Sequence, residues 1–349
     1  MLFRSKSPGL QKYYAYFIPG WMYALVENNT CMVGTLVFDV LFSKLMFAIH
    51  DVSVSESHKI GLREMTGQLP RDDMSVEEER QWLIDMSSRS DEGWLPFPFW
   101  HTMIPELGLH ICAMDWSPVE YHISLAPWTK LIRRANPKTK VVKADRTELS
   151  DNDLKFSMVI HGQHIDPVER DLIADEVFDL LFIQHHCRPR KFDAGGVREL
   201  NARFHQPTTN LRWFFHRKSC ERDNDPFNWW GLFGLDAMKS ASLRFNSQIR
   251  QETMSAKFYR IIQAFEKNTS CPRACQYQLG FALKLDGRKY CFPYGSVNMI
   301  RYPEVVLDVE MQEHLGTEPI TAYMCQENMM LAKCERGVMV TAYANQQTR

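Results

Sequence analysis

The chain has almost no net charge: over 349 residues, 41 Lys and Arg stand against 42 Asp and Glu, a formal -1 at pH 7. That balance excludes a global electrostatic attraction to nucleic acid or to an anionic membrane surface, so direct nucleic-acid binding is not expected. The chain also lacks an apolar run of the ~20 residues needed to span a bilayer. The stretch from Thr35 to Ile49 is broken by Asp39 and Lys44, and no membrane span is expected. Near the start, Arg4, Lys6 and Lys12 precede the apolar run Tyr13 to Ile18, but Pro19-Gly20 interrupts it and no small-x-small cleavage site follows, which argues against a secretory signal. Internal repeats, low-complexity segments and long charge runs are absent too. So are the G-x-S-x-G elbow of hydrolases and the Gly-rich phosphate loop of nucleotide-binding enzymes.

What is present reads as an all-β chain. Aromatic residues make up 12% of it, and most apolar runs are short and bounded by turn residues. From Tyr277 to Met311 the pattern is strand, polar turn, strand: Leu279, Phe281 and Leu283 fall on one face and Asp286-Gly287-Arg288 supplies the turn. Val305, Leu307, Val309 and Met311 then alternate with Glu304, Asp308 and Glu310. A half-buried antiparallel sheet explains that alternation. Two segments break the texture. Asp72 to Ser87 carries Ser75 with Glu78 three residues later and apolar Trp82, Leu83 and Met86 near helical spacing, a capped surface helix. Asp166 to Glu176 opens with Asp-Pro and continues through good helix formers. The strand-like run Val177 to Gln184 follows, which puts a domain boundary near Asp175; at this length two domains can each bury a core.

Candidate chemistry is thin. His185-His186-Cys187, with His205 and His216, offers zinc-type ligands, but adjacent strand residues point to opposite faces. Cys271 to Cys275 is C-x-x-x-C, matching neither the redox nor the four-ligand zinc spacing. His161-Gly162-Gln163-His164 imitates the start of a cupin metal site, with Glu169 in the predicted helix. Trp213, Trp229 and Trp230, with Arg212, Arg217 and Lys218, suit a stacking platform for sugar or nucleic acid, although tryptophans near strands are more often core or interface anchors. Leu95-Pro96-Phe97-Pro98-Phe99-Trp100 reads as an edge strand whose rings cover the core. Nine cysteines, an odd number scattered along the chain, suit free thiols in a reducing compartment. The glycosylation triplets at Asn28 and Asn268 carry no weight without a secretory route.

Tyr277, Phe281, Ala282 and Leu283, followed by Pro293, Gly295, Ser296, Asn298 and Arg301, resemble the second jelly roll of the major capsid proteins of nucleocytoplasmic large DNA viruses, the group that includes iridoviruses, asfarviruses and phycodnaviruses. Further segments resemble the same family in its order: Ile60 to Gly67, a loop in the family; the L-P-F-x-F segment at Leu95; Gly108-Leu109 with Glu120 and Ile123; Phe156 to Ile160 as the last strand of roll one; and the connector with Asp166, Glu169 and Arg170. Thr209 to Phe215, Lys239 to Asn246, Phe258 to Gln263 and Ile320 to Leu331 resemble strands of roll two. The family's longer N-terminal region has no counterpart here, so the first roll is expected to be shortened.

The resemblance implies an all-β double jelly roll with short connecting helices: 1–59 a divergent segment belonging with the first roll, 60–175 a shortened first roll, 176–349 the second. It implies a structural subunit of an icosahedral capsid, not an enzyme, with no catalytic, cofactor or metal residues. Self-association into trimeric pseudo-hexagonal capsomers, contacts with other capsid and minor capsid proteins, and a place in the virion and at assembly sites in the host cytoplasm follow from it. The alternatives are a minor or paralogous capsid protein, a carbohydrate-binding jelly roll, and a cupin-like metalloenzyme.

Overall fold

The computed structural model describes residues 1–6, 15–17, 20–68, 75, 77–78, 81–82, 85, 92–136, 141–145, 150, 153–192, 197–229, 236–272, 275–285, 294–313 and 318–342. Among the described residues nine strands lie before the connector: β1 Leu2–Lys6, β2 Ala15–Phe17, β3 Val26–Val33, β4 Leu36–Phe42, β5 Glu92–Pro96, β6 Val119–Leu125, β7 Ile132–Asn136, β8 Val141–Ala144 and β9 Lys155–Val159. They form three antiparallel sheets of three strands, in the orders β5-β1-β9, β2-β7-β8 and β4-β3-β6. Residues 1–59 therefore supply strands to all three, and β1 sits at the centre of the first, paired to β5 and β9 along its whole length. β5 is an edge strand of that sheet, where Pro96 breaks no ladder, while Leu95, Phe97, Phe99 and Trp100 are buried as the prolyl-aromatic pattern requires.

After the connector come β10 Phe178–Phe192, β11 Val197–Ala202, β12 Pro207–Arg217, β13 Met238–Phe245, β14 Gln248–Ser255, β15 Gln276–Gly280, β16 Val297–Asn298, β17 Val305–Met311, β18 Ile320–Glu335 and β19 Val338–Thr341. Their principal orders are β10-β18-β12-β15 in one sheet and β11-β17-β13-β14 in the other, so successive strands cross repeatedly between sheets. Eight antiparallel strands arranged this way make a jelly-roll sandwich. Among the described residues no strand before the connector pairs with one after it. The connector is the helix Pro167–Asp175, capped by Asp166, whose carboxylate accepts from the Val168 N–H at 2.9 Å.

Several expectations need correction. β15 and β17 are not hairpin partners: β15 pairs with β12 and β17 with β11 and β13, in opposite sheets. Alternation specifies which face of a strand is buried, not which strand lies beside it. Leu279 is buried, but the strand ends at Gly280 and Leu283 is exposed; the proposed turn Asp286-Gly287-Arg288 and Pro293 lie outside the described residues. Ile60 to Gly67 is helical, the end of the helix Glu56–Thr66, which stops at Gly67 with φ 70°. A Cβ there would fall 1.9 Å from the Trp21 ring, so glycine is needed twice over. Phe258 to Gln263 is a π-helical turn, not a strand, and the Tyr259 hydroxyl donates to the Ala241 carbonyl at 2.9 Å.

The capping box is present. The Ser75 N–H donates to Glu78 at 2.8 Å and the Glu78 N–H donates to Ser75 Oγ at 3.3 Å, while Leu83 and Met86 lie outside the described residues. Cys31, Cys112, Cys220, Cys271, Cys275 and Cys334 are free thiols, but Cys187 and Cys325 form a disulfide. They sit directly opposite each other in the β10–β18 ladder, a register the sequence spacing does not reveal.

Candidate functional site

β12 shows why the two halves form one body. Nine of its eleven residues, Thr208 to His216, are buried, with none of the polar-outward alternation of a sheet facing water. Trp213 packs on Tyr259 and Tyr277 inside the sandwich, and Phe215 meets Tyr277 there. Phe214 faces the other way, against Trp229, which in turn meets Phe47 of the first half. His216 lies 3.5 Å from the Lys44 ammonium, on the helix Ser43–Ser53 of the first half. The outer face of this sheet is therefore the floor on which the first half rests.

The seam is lined with rings. Trp100 stacks on Phe182 at 4.4 Å, Phe38 meets the same ring at 5.5 Å, and Phe47 stacks on Phe227 at 5.0 Å. Such pairs add about 0.5–1.5 kcal/mol each beyond their buried area. One continuous cluster of buried apolar side chains runs through both halves. Polar bonds fix the register. Asp39, fully buried on β4, accepts from the backbone N–H of Trp100 and of His185, both at 3.3 Å, so a single carboxylate ties the first half to β10. Asn224 donates to the carbonyls of Thr129 and Ile132 at 2.9 Å, and the Trp116 N–H donates to the Gly337 carbonyl at 3.0 Å. The Ser270 N–H likewise donates to the Val52 carbonyl at 3.2 Å.

A buried ion pair faces the seam from the second half. Arg212 Nε bonds Glu327, Asn210 donates to the other Glu327 oxygen at 3.1 Å, and Arg212 Nη1 donates to Gln278 at 3.1 Å. Burial pushes the Glu327 carboxyl up, but Arg212, His185 and Asn210 outweigh it and hold it below the usual carboxylate range. Burial also pushes His101 down to about 4, and it lowers His186 and His216.

The residues singled out for chemistry are dispersed by the fold. His185 lies beside Asp39, Cys187 is in the disulfide, His205 is exposed and His216 is buried against Lys44 and Glu221. His161, His164 and Glu169 are exposed on the connector and its approach. Among the described residues no group of three or more His, Cys, Asp or Glu is placed to hold a metal ion. Trp213 and Trp229 are core residues, which rules them out as a stacking platform; Trp230 lies outside the described residues. No helix among the described residues is long and apolar enough to cross a membrane. Nothing in the sequence pattern marks Glu327 as a seam residue. The one signal for Asp39 was a lone carboxylate inside an apolar run.

Two jelly-roll-forming halves are locked into one body by this seam. The family of large eukaryotic DNA virus major capsid proteins matches residues 131–346, and the chain belongs to it. A chain of the PBCV-1 virus capsid is similar over 99% of this chain and 89% of its own, at 14% identity and TM-score 0.73. The Faustovirus major capsid protein is similar over 91% of this chain and 73% of its own, at 8% identity and TM-score 0.67. None of the curated proteins matches. The fold is an all-β double jelly roll. The protein is a structural capsid component of a large DNA virus, found in the virion, and not an enzyme.

Proposed function

We propose that the chain is the repeating subunit of an icosahedral shell, acting as a trimer in which six jelly rolls give a near-hexagonal tile. The observation that carries this reading is the seam: aromatic stacking and the Asp39 bridge hold the two rolls at one fixed angle. A tile made from paired rolls needs that rigidity, because an error in the angle between rolls multiplies over every contact in a shell. Exposed apolar side chains offer contact area for neighbours, among them Trp116, 79% exposed, and Val168 and Leu172 on the connector helix, 71% and 69% exposed.

In this reading residues 1–59 belong with the first roll, which ends near residue 175, and 176–349 make the second. Other capsid and minor capsid proteins are its partners, assembly takes place in the host cytoplasm, and no residue has a catalytic, cofactor or metal role. Quantitative mass spectrometry of purified virions tests it. A shell subunit is expected among the most abundant virion proteins; a copy number of tens per particle would instead mark a minor component.

A further inference from the structure

Two exposed apolar patches on the first half and its connector carry rims of opposite charge. One lies where the connector helix packs on the turn Ile111–Ala113. Val168 and Leu172, one turn apart on that helix, are exposed, as is Ile111. Trp116, a few residues beyond Ile111, is exposed beside the turn at Gly337, whose carbonyl accepts its N–H. The segment 166–179 holds exposed Asp166, Glu169, Asp171, Asp175, Glu176 and Asp179 against one base, Arg170. Asp115 adds to this acidic rim, and Arg336, next to Gly337, opposes it.

The other patch is on β9, an edge strand of the sheet β5-β1-β9. Met158 stands opposite Phe3 in the ladder and Phe156 opposite Ser5, so these side chains share one face. Phe3 and Ser5 are buried, yet Phe156 and Met158 are 36% and 39% exposed: the core side of the sheet runs out uncovered at its edge. Phe156 stacks on Trp128 at 6.5 Å, which extends the patch. Here the charge is basic. Lys130, Arg133 and Arg134 follow Trp128, Lys143 is opposite Arg134, and Lys155 precedes Phe156. The carboxylates of Glu27 and Asp145 bond Lys130 and Arg134 and leave the basic groups in excess.

The strand β6 separates the two patches. Trp116 precedes it and Trp128 follows it, and its seven residues span about 20 Å. Patches of opposite sign at the two ends of one strand suit a head-to-tail contact between copies, the kind of interface that closes into a ring. An uncovered apolar edge strand is itself a surface that pairs with another chain. We infer that the acidic connector patch of one copy docks on the basic β9 patch of the next. This rests on the trimer reading and names the surfaces by which its copies meet.

The test is native mass measurement of the full chain and of charge reversals at each patch. Glu169→Lys with Asp171→Lys reverses the connector, and Lys130→Glu with Lys155→Glu reverses β9; all four side chains are exposed. Each reversal sets like charges across the contact and should raise the concentration for half-trimerisation about tenfold or more. Joining both reversals in one chain restores opposite signs and should return that concentration to near the wild-type value. Glu252→Lys, an exposed reversal on β14, should leave it unchanged. Glu176→Lys and Lys143→Glu serve where either pair does not fold. A trimer indifferent to both reversals, or weakened by each and not restored when they are joined, would overturn the inference and leave the trimer standing. Equal weakening by Glu252→Lys would assign the effect to net charge and overturn it too. A wild-type chain that is monomeric at every concentration would overturn both the inference and the trimer reading.

Discussion

The two halves of the chain solve the same packing problem in different ways. The second half closes on itself: its strands reach 15 residues in β10 and 16 in β18, and two sheets enclose a core centred on Trp213 and Tyr277. The first half, with strands of three to eight residues in three small sheets, spends much of its apolar surface on its neighbour. Its helix Ser43–Ser53 buries eight consecutive residues, Leu45 to Val52, and Phe47 reaches Phe227 and Trp229 across the seam. Short strands on one side of the seam thus pack against a sandwich that is complete on the other. The first half is therefore expected to draw much of its stability from the seam.

That contrast can be broken at several depths. The largest effect is expected from Glu327→Ala, which strands Arg212 in a buried site and should cost about 4 kcal/mol in chemical denaturation. The double replacement Arg212→Met with Glu327→Leu should recover most of that loss; no recovery would mean the pair is not a linked unit. Phe182→Ala empties the seat of Trp100 and should cost about 3 kcal/mol. It should also uncouple the halves, so that hydrogen exchange accelerates first in residues 20–68 and 92–125. Uniform acceleration through both halves would mean the first half does not depend on the seam.

Reducing the Cys187–Cys325 bridge should cost about 2–3 kcal/mol. The loss should fall within the second half, seen as faster exchange of β10 and β18 amides. Acidification acts on the first half. His101 titrates at about 4 in the folded chain against 6.5 when unfolded, so its contribution is complete above pH 6.5 and is lost as pH falls toward 4. The slope is at most about 1.4 kcal/mol per pH unit, and His101→Gln should flatten it; an unchanged slope in that variant would assign the loss to other groups. The smallest effect, about 1 kcal/mol, is expected for Ser75→Ala, which deletes the capping box and should show as earlier proteolytic cleavage nearby.

What the sequence reveals follows the same division. In β17 the alternation of Val305, Leu307 and Val309 against Asp308 and Glu310 marks the buried face correctly, because a closed sandwich imposes period two. The connector helix is legible from Asp166-Pro167, whose capping chemistry is local. The seam is not legible. Arg212 and Glu327 are 115 residues apart and meet only through the β12–β18 register, and Asp39 finds its donors on two distant segments. Ile60 to Gly67 and Phe258 to Gln263, expected from the resemblance as a loop and a strand, are helical, because likeness of short segments to a family does not fix their local conformation.

The central claim is that the rigid pair of rolls is one third of a capsid tile. Native mass measurement of the purified chain at increasing concentration tests it most directly. The account predicts a species of three times the 40.8 kDa subunit mass, retained in wild type and weakened by Phe182→Ala. A folded wild-type chain that remains monomeric at the highest concentration would contradict it.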